Sequence, residues 1–135
     1  MAFRHGKNAS LSIAATVIQG YLDNAALNRT RDTADTTVFG LSDKTAIAGL
    51  KGANLTGSGS YDPTATTGPM AVLEAAYATD TPVAVIYYPG GNTTGQYSYT
   101  FNAILTSLGV PAAVGDKVTF SFDLLVTGAV TPAVI

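Results

Sequence analysis

The chain has no cysteine, no tryptophan and a single histidine, and only 12% of its 135 residues are charged. Without thiols there is neither a disulfide nor a thiolate metal site, and one imidazole does not make the N/S ligand set of a transition-metal centre. The histidine, His5, stands between Arg4 and Lys7 and reads as a solvent-exposed tail residue. No nucleophile, base and orienting group can be combined from what remains, so the expectation is a non-enzymatic chain with no cofactor and no metal. No apolar run approaches the ~20 residues of a membrane helix, so no membrane anchor is expected. The long uncharged stretch 81–115 is broken by Pro82, Pro89, Gly90, Gly91, Asn92, Gln96 and Asn102. Leu11-Ser12-Ile13-Ala14-Ala15, after Arg4 and Lys7, imitates a signal peptide but is short and interrupted by serine, so it reads as part of the fold. A net charge of -2 excludes a generally basic nucleic-acid binder.

What is present is apolar: 47% of residues are hydrophobic, and charge stands well below the ~25% of ordinary soluble domains. One domain of this length has one core, and so neutral a surface is expected to meet other subunits. Residues 1–51 carry Arg4, Lys7, Arg29, Arg31, Lys44 and Lys51 against four aspartates, a net +2. Residues 52–135 carry Lys117 against Asp62, Glu74, Asp80, Asp116 and Asp123, a net -4. Two readings stand side by side: head-to-tail attraction between copies, or a patchwork balanced within each subunit.

Period-two alternation places the strands. Residues 9–13 give a short first strand, and 16–23 read as a turn that folds its apolar residues back onto the core. Strands follow over 25–31 and 53–61, where Gly57 and Gly59 mark a close backbone approach or a tight curve. After the turn cluster 62–68, Pro69 opens the one convincing helix, with Met70, Leu73 and Tyr77 at helical spacing and an end near Asp80. Residues 83–88 and 95–108 are further strands. The last strand is the clearest, with Val118, Phe120, Phe122, Leu124 and Val126 on one face. The fold class is therefore mainly β, a β-sandwich or partly closed barrel with one flanking α-helix.

Residues 32–51 fit neither core strand nor solvated loop. Thr, Asp, Ser and Gly are too frequent for a core element, while Val38, Phe39, Leu41, Ile47 and Leu50 are too apolar for water. This stretch is expected to be an arm that packs on another copy. The uncharged C-terminal residues 128–135 would fray alone, so Val130, Val134 and Ile135 are expected to pack against a neighbour as well.

Arg29-Thr30-Arg31-Asp32-Thr33-Ala34-Asp35-Thr36-Thr37-Val38-Phe39-Gly40, then Ala48-Gly49-Leu50-Lys51-Gly52-Ala53 and a small, polar strand ending Tyr61-Asp62, resemble the tail tube proteins of long-tailed bacteriophages. The run Val118-Thr119-Phe120-Ser121-Phe122-Asp123-Leu124-Leu125-Val126-Thr127-Gly128 is similar to their last strand. The resemblance spans about Leu11 to Thr131. It implies a single tail-tube-like domain in a virion tail, made in the host cytoplasm, whose copies form stacked, usually hexameric rings around a channel for the genome. It also implies contact with tape measure, terminator and distal tail proteins, and double-stranded DNA in transit without specific binding. Tail terminator and distal tail proteins share the related fold, and either role is the alternative within the family.

Four strands carry small polar faces: Asn28 and Thr30; Asn54, Thr56, Ser58 and Ser60; Ser98, Thr100, Asn102 and Thr106; Thr119, Ser121, Asp123 and Thr127. None is basic, and these faces are expected to line the channel, with solvent exposure as the plainer reading. Asp32 and Asp35 lack the spacing of a calcium loop and read as loop aspartates, solvated or paired with Arg29 and Arg31. The glycine-rich segment 90–95 has no following lysine and is a hairpin turn, not a phosphate loop. Tyr87, Tyr88, Tyr97 and Tyr99 beside it suit a strand core or interface; the alternative is a sugar-stacking platform of a virion or secreted glycan-binding module.

Overall fold

A computed structural model describes residues 4–18, 21–62, 69–91 and 93–135. A short 3-10 turn, Gly6–Asn8, leads into β1 (Ser10–Ile13) and β2 (Thr16–Val17), followed by β3 (Leu22–Asp35) and β4 (Ala46–Ser60). Then come α1 (Pro69–Ala78), β5 (Val83–Tyr88), β6 (Tyr97–Gly109) and β7 (Thr119–Val134). All seven strands form one sheet in the order β2-β1-β5-β6-β7-β4-β3, and every pairing is antiparallel. Among the described residues the mainly β class with a single α-helix holds, and the sandwich-or-barrel choice resolves to one sheet that does not close.

The alternation in sequence becomes the inside and outside of this sheet. Leu11 and Ile13, Leu55, Val85, Phe101, Ala103 and Leu105, and Phe120, Phe122 and Leu124 are buried in one cluster, joined by Leu73 and Ala76 of α1. Ile18 lies in it too, as expected for a turn folded onto the core, although the segment around it is short strand and strand start. Tyr87 of β5 donates its hydroxyl to the Ala25 carbonyl of β3 at 3.4 Å, across four places in the strand order. The sheet thus curls over its own apolar face.

Both glycines flagged in β4 serve that curl. A Cβ at Gly57 would lie 2.6 Å from Cζ of Phe122, and one at Gly59 would collide with the Tyr21 carbonyl. The turn between β1 and β2 is a two-residue loop, since Ile13 pairs with Thr16, and both of its residues, Ala14 and Ala15, have positive φ (51° and 67°). Alanine there costs about 1–2 kcal/mol per residue in the left-handed region.

Two expectations are corrected. Residues 32–51 are strand at both ends and turn at the tip: β3 and β4 stay paired out to Asp35 and Ala46, so the insert is the far half of a long hairpin. The C-terminal residues do not hang free either. After a bulge at Gly128 (φ 86°), β7 pairs again with β6 from Thr131–Thr100 to Val134–Tyr97, and Ile135 exchanges backbone hydrogen bonds with Gly95 and Gln96. The bulge lies just past the point where β4 leaves β7, so Pro132 falls in a strand stretch with a free edge, where a missing N–H is tolerated. The turn cluster 63–68 and Asn92 lie outside the described residues.

Candidate assembly surfaces

Three surfaces stand out, beginning with the hairpin arm. β4 is hydrogen-bonded to β7 only from Asn54 to Ser60, so beyond Asn54 the β3–β4 hairpin leaves the sheet with no third strand beside it. A cluster of threonines closes its tip. Thr36 N–H donates to the Thr45 carbonyl (2.9 Å), the Thr36 and Thr45 hydroxyls meet at 2.9 Å, and Thr45 N–H donates to the Thr37 hydroxyl (2.9 Å). Gly40 supplies the turn with φ 91°. Thr37 N–H also donates to Asp35 Oδ1 at 2.8 Å. Bonds from the Thr37 hydroxyl and then its N–H hold the Asp35 carboxyl below the usual carboxylate range.

So bound, the tip is ordered by polar bonds while its apolar side chains point nowhere within the subunit. Phe39 is fully exposed (106%) and Leu50 nearly so (81%), with Val38, Leu41 and Ile47 also exposed. At the arm's base, Arg29, Arg31 and Lys51 line a cleft of about 510 Å³ with Gly128 to Val130. Arg31 and Lys51 are direct cross-strand partners, a like-charge pair. Arg29 does not reach an aspartate; its guanidinium lies 5.1 Å above the Tyr99 ring.

The second surface is the outer face of β3, β4, β7 and β6. Asn28 opposes Asn54, Thr56 opposes Asp123, Ser58 opposes Ser121, Ser60 opposes Thr119, and Asn102 opposes Thr127, so these side chains share one face. Thr30 stands opposite Gly52 on the same side, and Thr100 is exposed opposite Thr131. Thr106 falls in a register shift and donates its hydroxyl to the Asp123 carbonyl (3.3 Å). Ser98 is the exception: it is only 7% exposed, with its hydroxyl on the Ala133 carbonyl at 3.5 Å, because the returning end of β7 covers it. It is a structural serine and leaves the candidate face.

Sequence reasoning missed one feature here. Asp23 joins the face, accepting a hydrogen bond from Ser58 Oγ at 3.1 Å, because a bulge between Leu22 and Asn24 shifts its register. Ile104 and Leu125, both exposed and directly paired, interrupt the polar face with an apolar spot that simple alternation already placed there.

The third surface is the C-terminal end of β7. Val134 is exposed, but Val130 packs partly against the chain's own core, and Ile135 is half-buried. The expectation that all three wait for a neighbour therefore holds open only Val134 and the uncovered part of Ile135.

Of the other candidates, His5 accepts the Lys7 N–H on Nδ1 (3.1 Å), closing its local turn. Tyr87 opposes Tyr99 across β5 and β6, and burial, with Tyr99 adding, pushes the Tyr87 phenol up. Among the described residues no group of three His, Asp or Glu gathers to hold a metal ion, and no helix is long and apolar enough to cross a membrane.

Solved structures match this architecture over nearly the whole chain. The tail of an empty gene transfer agent particle, refined with C6 symmetry, superposes with a TM-score of 0.78 at 12% identity, covering 96% of this chain and 98% of that one. The fold is that of tail tube chains. A chain of the SPP1 tail tube gives 0.78 at 11% identity, with 98% and 80% covered. A chain from the cap that terminates the anti-feeding prophage tube gives 0.74 at 17% identity, with 100% and 93% covered. No protein-family model matches the chain, and no curated protein does. At such low identity the tail-tube likeness is one of backbone path.

Proposed function

We propose that the chain is a structural, non-enzymatic subunit of a virion tail that self-assembles into stacked rings, hexameric by resemblance, forming a tube for genome delivery. The observation that carries this reading is the arm: an ordered hairpin that presents Val38, Phe39, Leu41, Ile47 and Leu50 to a surface outside its own subunit. Burying each large apolar side chain stabilises an interface by roughly 1.5–3 kcal/mol, and five on one projection are enough to organise assembly. Val134 and Ile135 add a second, smaller contact. The tail-tube fold supports the same reading.

In such a tube the sheet faces of β3, β4, β6 and β7 line the lumen. The outward residues Asn28, Thr30, Asn54, Thr56, Ser58, Ser60, Thr100, Asn102, Thr106, Thr119, Ser121 and Thr127 are small and polar, and Asp123 with Asp23 makes the face mildly anionic. Double-stranded DNA then passes without being held, since the one basic side chain that reaches this face, Lys117 on Ser60 at its end, is outnumbered by the two aspartates. Tape measure, terminator and distal tail proteins are the partners at the tube's interior and ends, and the assembled tail is in the virion, built from subunits made in the host cytoplasm.

A second reading, tail terminator, is favoured by the likeness to the tube-terminating cap chain. Electron microscopy of the purified protein separates the two. Long tubes support the tube subunit, isolated rings support the terminator, and monomers at high concentration exclude both. For the lumen, Asp123→Lys is expected to leave tubes intact and to slow genome ejection most at low salt; unchanged ejection with Asp123 on the tube exterior would reverse the assignment.

A further inference from the structure

The arm supplies an exposed apolar knob; the opposite pole of the same subunit supplies a cleft. β6 ends at Gly109 and β7 begins at Thr119, level with Ser60 at the base of β4, so the β6–β7 loop lies at the end of the sheet away from the arm tip. This loop is closed on itself by Thr119 N–H to the Pro111 carbonyl (3.4 Å) and Asp116 N–H to the Ala113 carbonyl (3.2 Å). Pro111, Ala112, Ala113, Asp116, Lys117 and Thr119 line a shallow cleft of about 350 Å³, mostly apolar in character and large enough for a phenyl ring. Val114 beside it is fully exposed (107%) and Val110 is exposed as well.

Each pole also carries one adjacent acid–base pair, Asp43-Lys44 on the tip and Asp116-Lys117 on the loop. Lys117 is held at the rim by donating to Ser60 Oγ at 2.9 Å, which leaves its other protons free. β4, with 15 residues rising about 3.3 Å each, puts roughly 45 Å between the two poles, so tip and cleft cannot meet within one chain. An apolar knob and an apolar cleft at opposite ends of one molecule make a heterologous contact, which repeats from copy to copy rather than closing as a pair.

Resting on the tube reading above, we infer that the cleft at Pro111 to Lys117 is the seat of the arm tip of a second copy, with Phe39 entering the cleft, Asp43 meeting Lys117 and Lys44 meeting Asp116. The contact gives the arm a specific acceptor and sets the polarity of stacking.

Because the chain has no cysteine, the test is free of background. The variant Ser42→Cys, Ala113→Cys, which keeps Phe39 on the tip, is oxidised under assembly conditions and run on a denaturing gel. A ladder of dimer, trimer and higher rungs is expected, whereas Ser42→Cys alone stays monomeric. Dimers from Ser42→Cys alone would mean tip-to-tip contact and overturn the inference. A second arm uses charge: Lys117→Asp is expected to raise the concentration needed for assembly about tenfold, and adding Asp43→Lys to restore it. Thermal melts of each variant, expected unchanged for such exposed positions, exclude misfolding. If wild-type tubes form and neither ladder nor rescue appears, the acceptor lies elsewhere while the tube reading stands. If the wild type forms no higher assembly, both fall together.

Discussion

The two halves of β4 share a strand and a partner, yet they live in different surroundings. From Leu55 to Ser60 the residues alternate between buried and half-buried; from Ala46 to Gly52 every residue is exposed. Along the way the strand loses β7 as a neighbour beyond Asn54. Strand formation therefore does not require burial here: cross-strand bonds to β3 carry the hairpin outward, and burial is deferred to whatever it meets. The inner half belongs to folding and the outer half to assembly.

Substitutions in the two halves should separate those roles. Leu124→Ala, in the fully buried wall that Leu55 packs on, is expected to cost about 2–5 kcal/mol of folding stability, read from denaturant unfolding of the free subunit. Phe39→Ala and Ile47→Asp should leave that unfolding curve unchanged and block tube growth. Normal polymerisation of both at wild-type concentration would break the division. Ala15→Gly relieves a left-handed alanine in the body and should raise stability by roughly 1 kcal/mol, with no change in the concentration needed to assemble. The smallest effect concerns acid. Because the folded pKa of Asp35 is depressed, its support of the arm turn is complete above the ordinary aspartate value near 3.9 and is lost as pH falls through the lower folded value. Amide exchange at Thr37 should accelerate in that acid window before the body responds, and Asp35→Asn should remove the pH dependence.

The body was legible because each of its strands has one wet and one dry face. Phe120, Phe122 and Leu124 alternate with Ser121 and Asp123, Pro69 opens α1, and Gly57 and Gly59 mark the tight curve, all as the residues imply. The arm was illegible as strand for the matching reason: exposed on both faces, it has no alternation for a sequence to display. Gly128 and Pro132 looked like the end of order, but a bulge lets β7 use them and continue along β6. Asp23 could not be placed on the outer face because a bulge is invisible to period-two counting. The pole-to-pole match of tip and loop lies in three-dimensional placement, which residue order alone does not report.

β7 sits between β4 and β6 yet is synthesised after both. A nascent chain emerging from the ribosome can form the β3–β4 hairpin early from local contacts, but its apolar inner half has no wall to lie on until Phe120, Phe122 and Leu124 have left the exit tunnel. Completion of the core thus waits until β7 has been made, and pairings this distant in sequence form slowly. A subunit still tethered to its polysome, crowded among identical siblings with their arms out, lacks both a finished sheet and a seated pole loop. Chains arrested before Thr119 should remain protease-sensitive throughout, and protection should appear in one step once β7 is released.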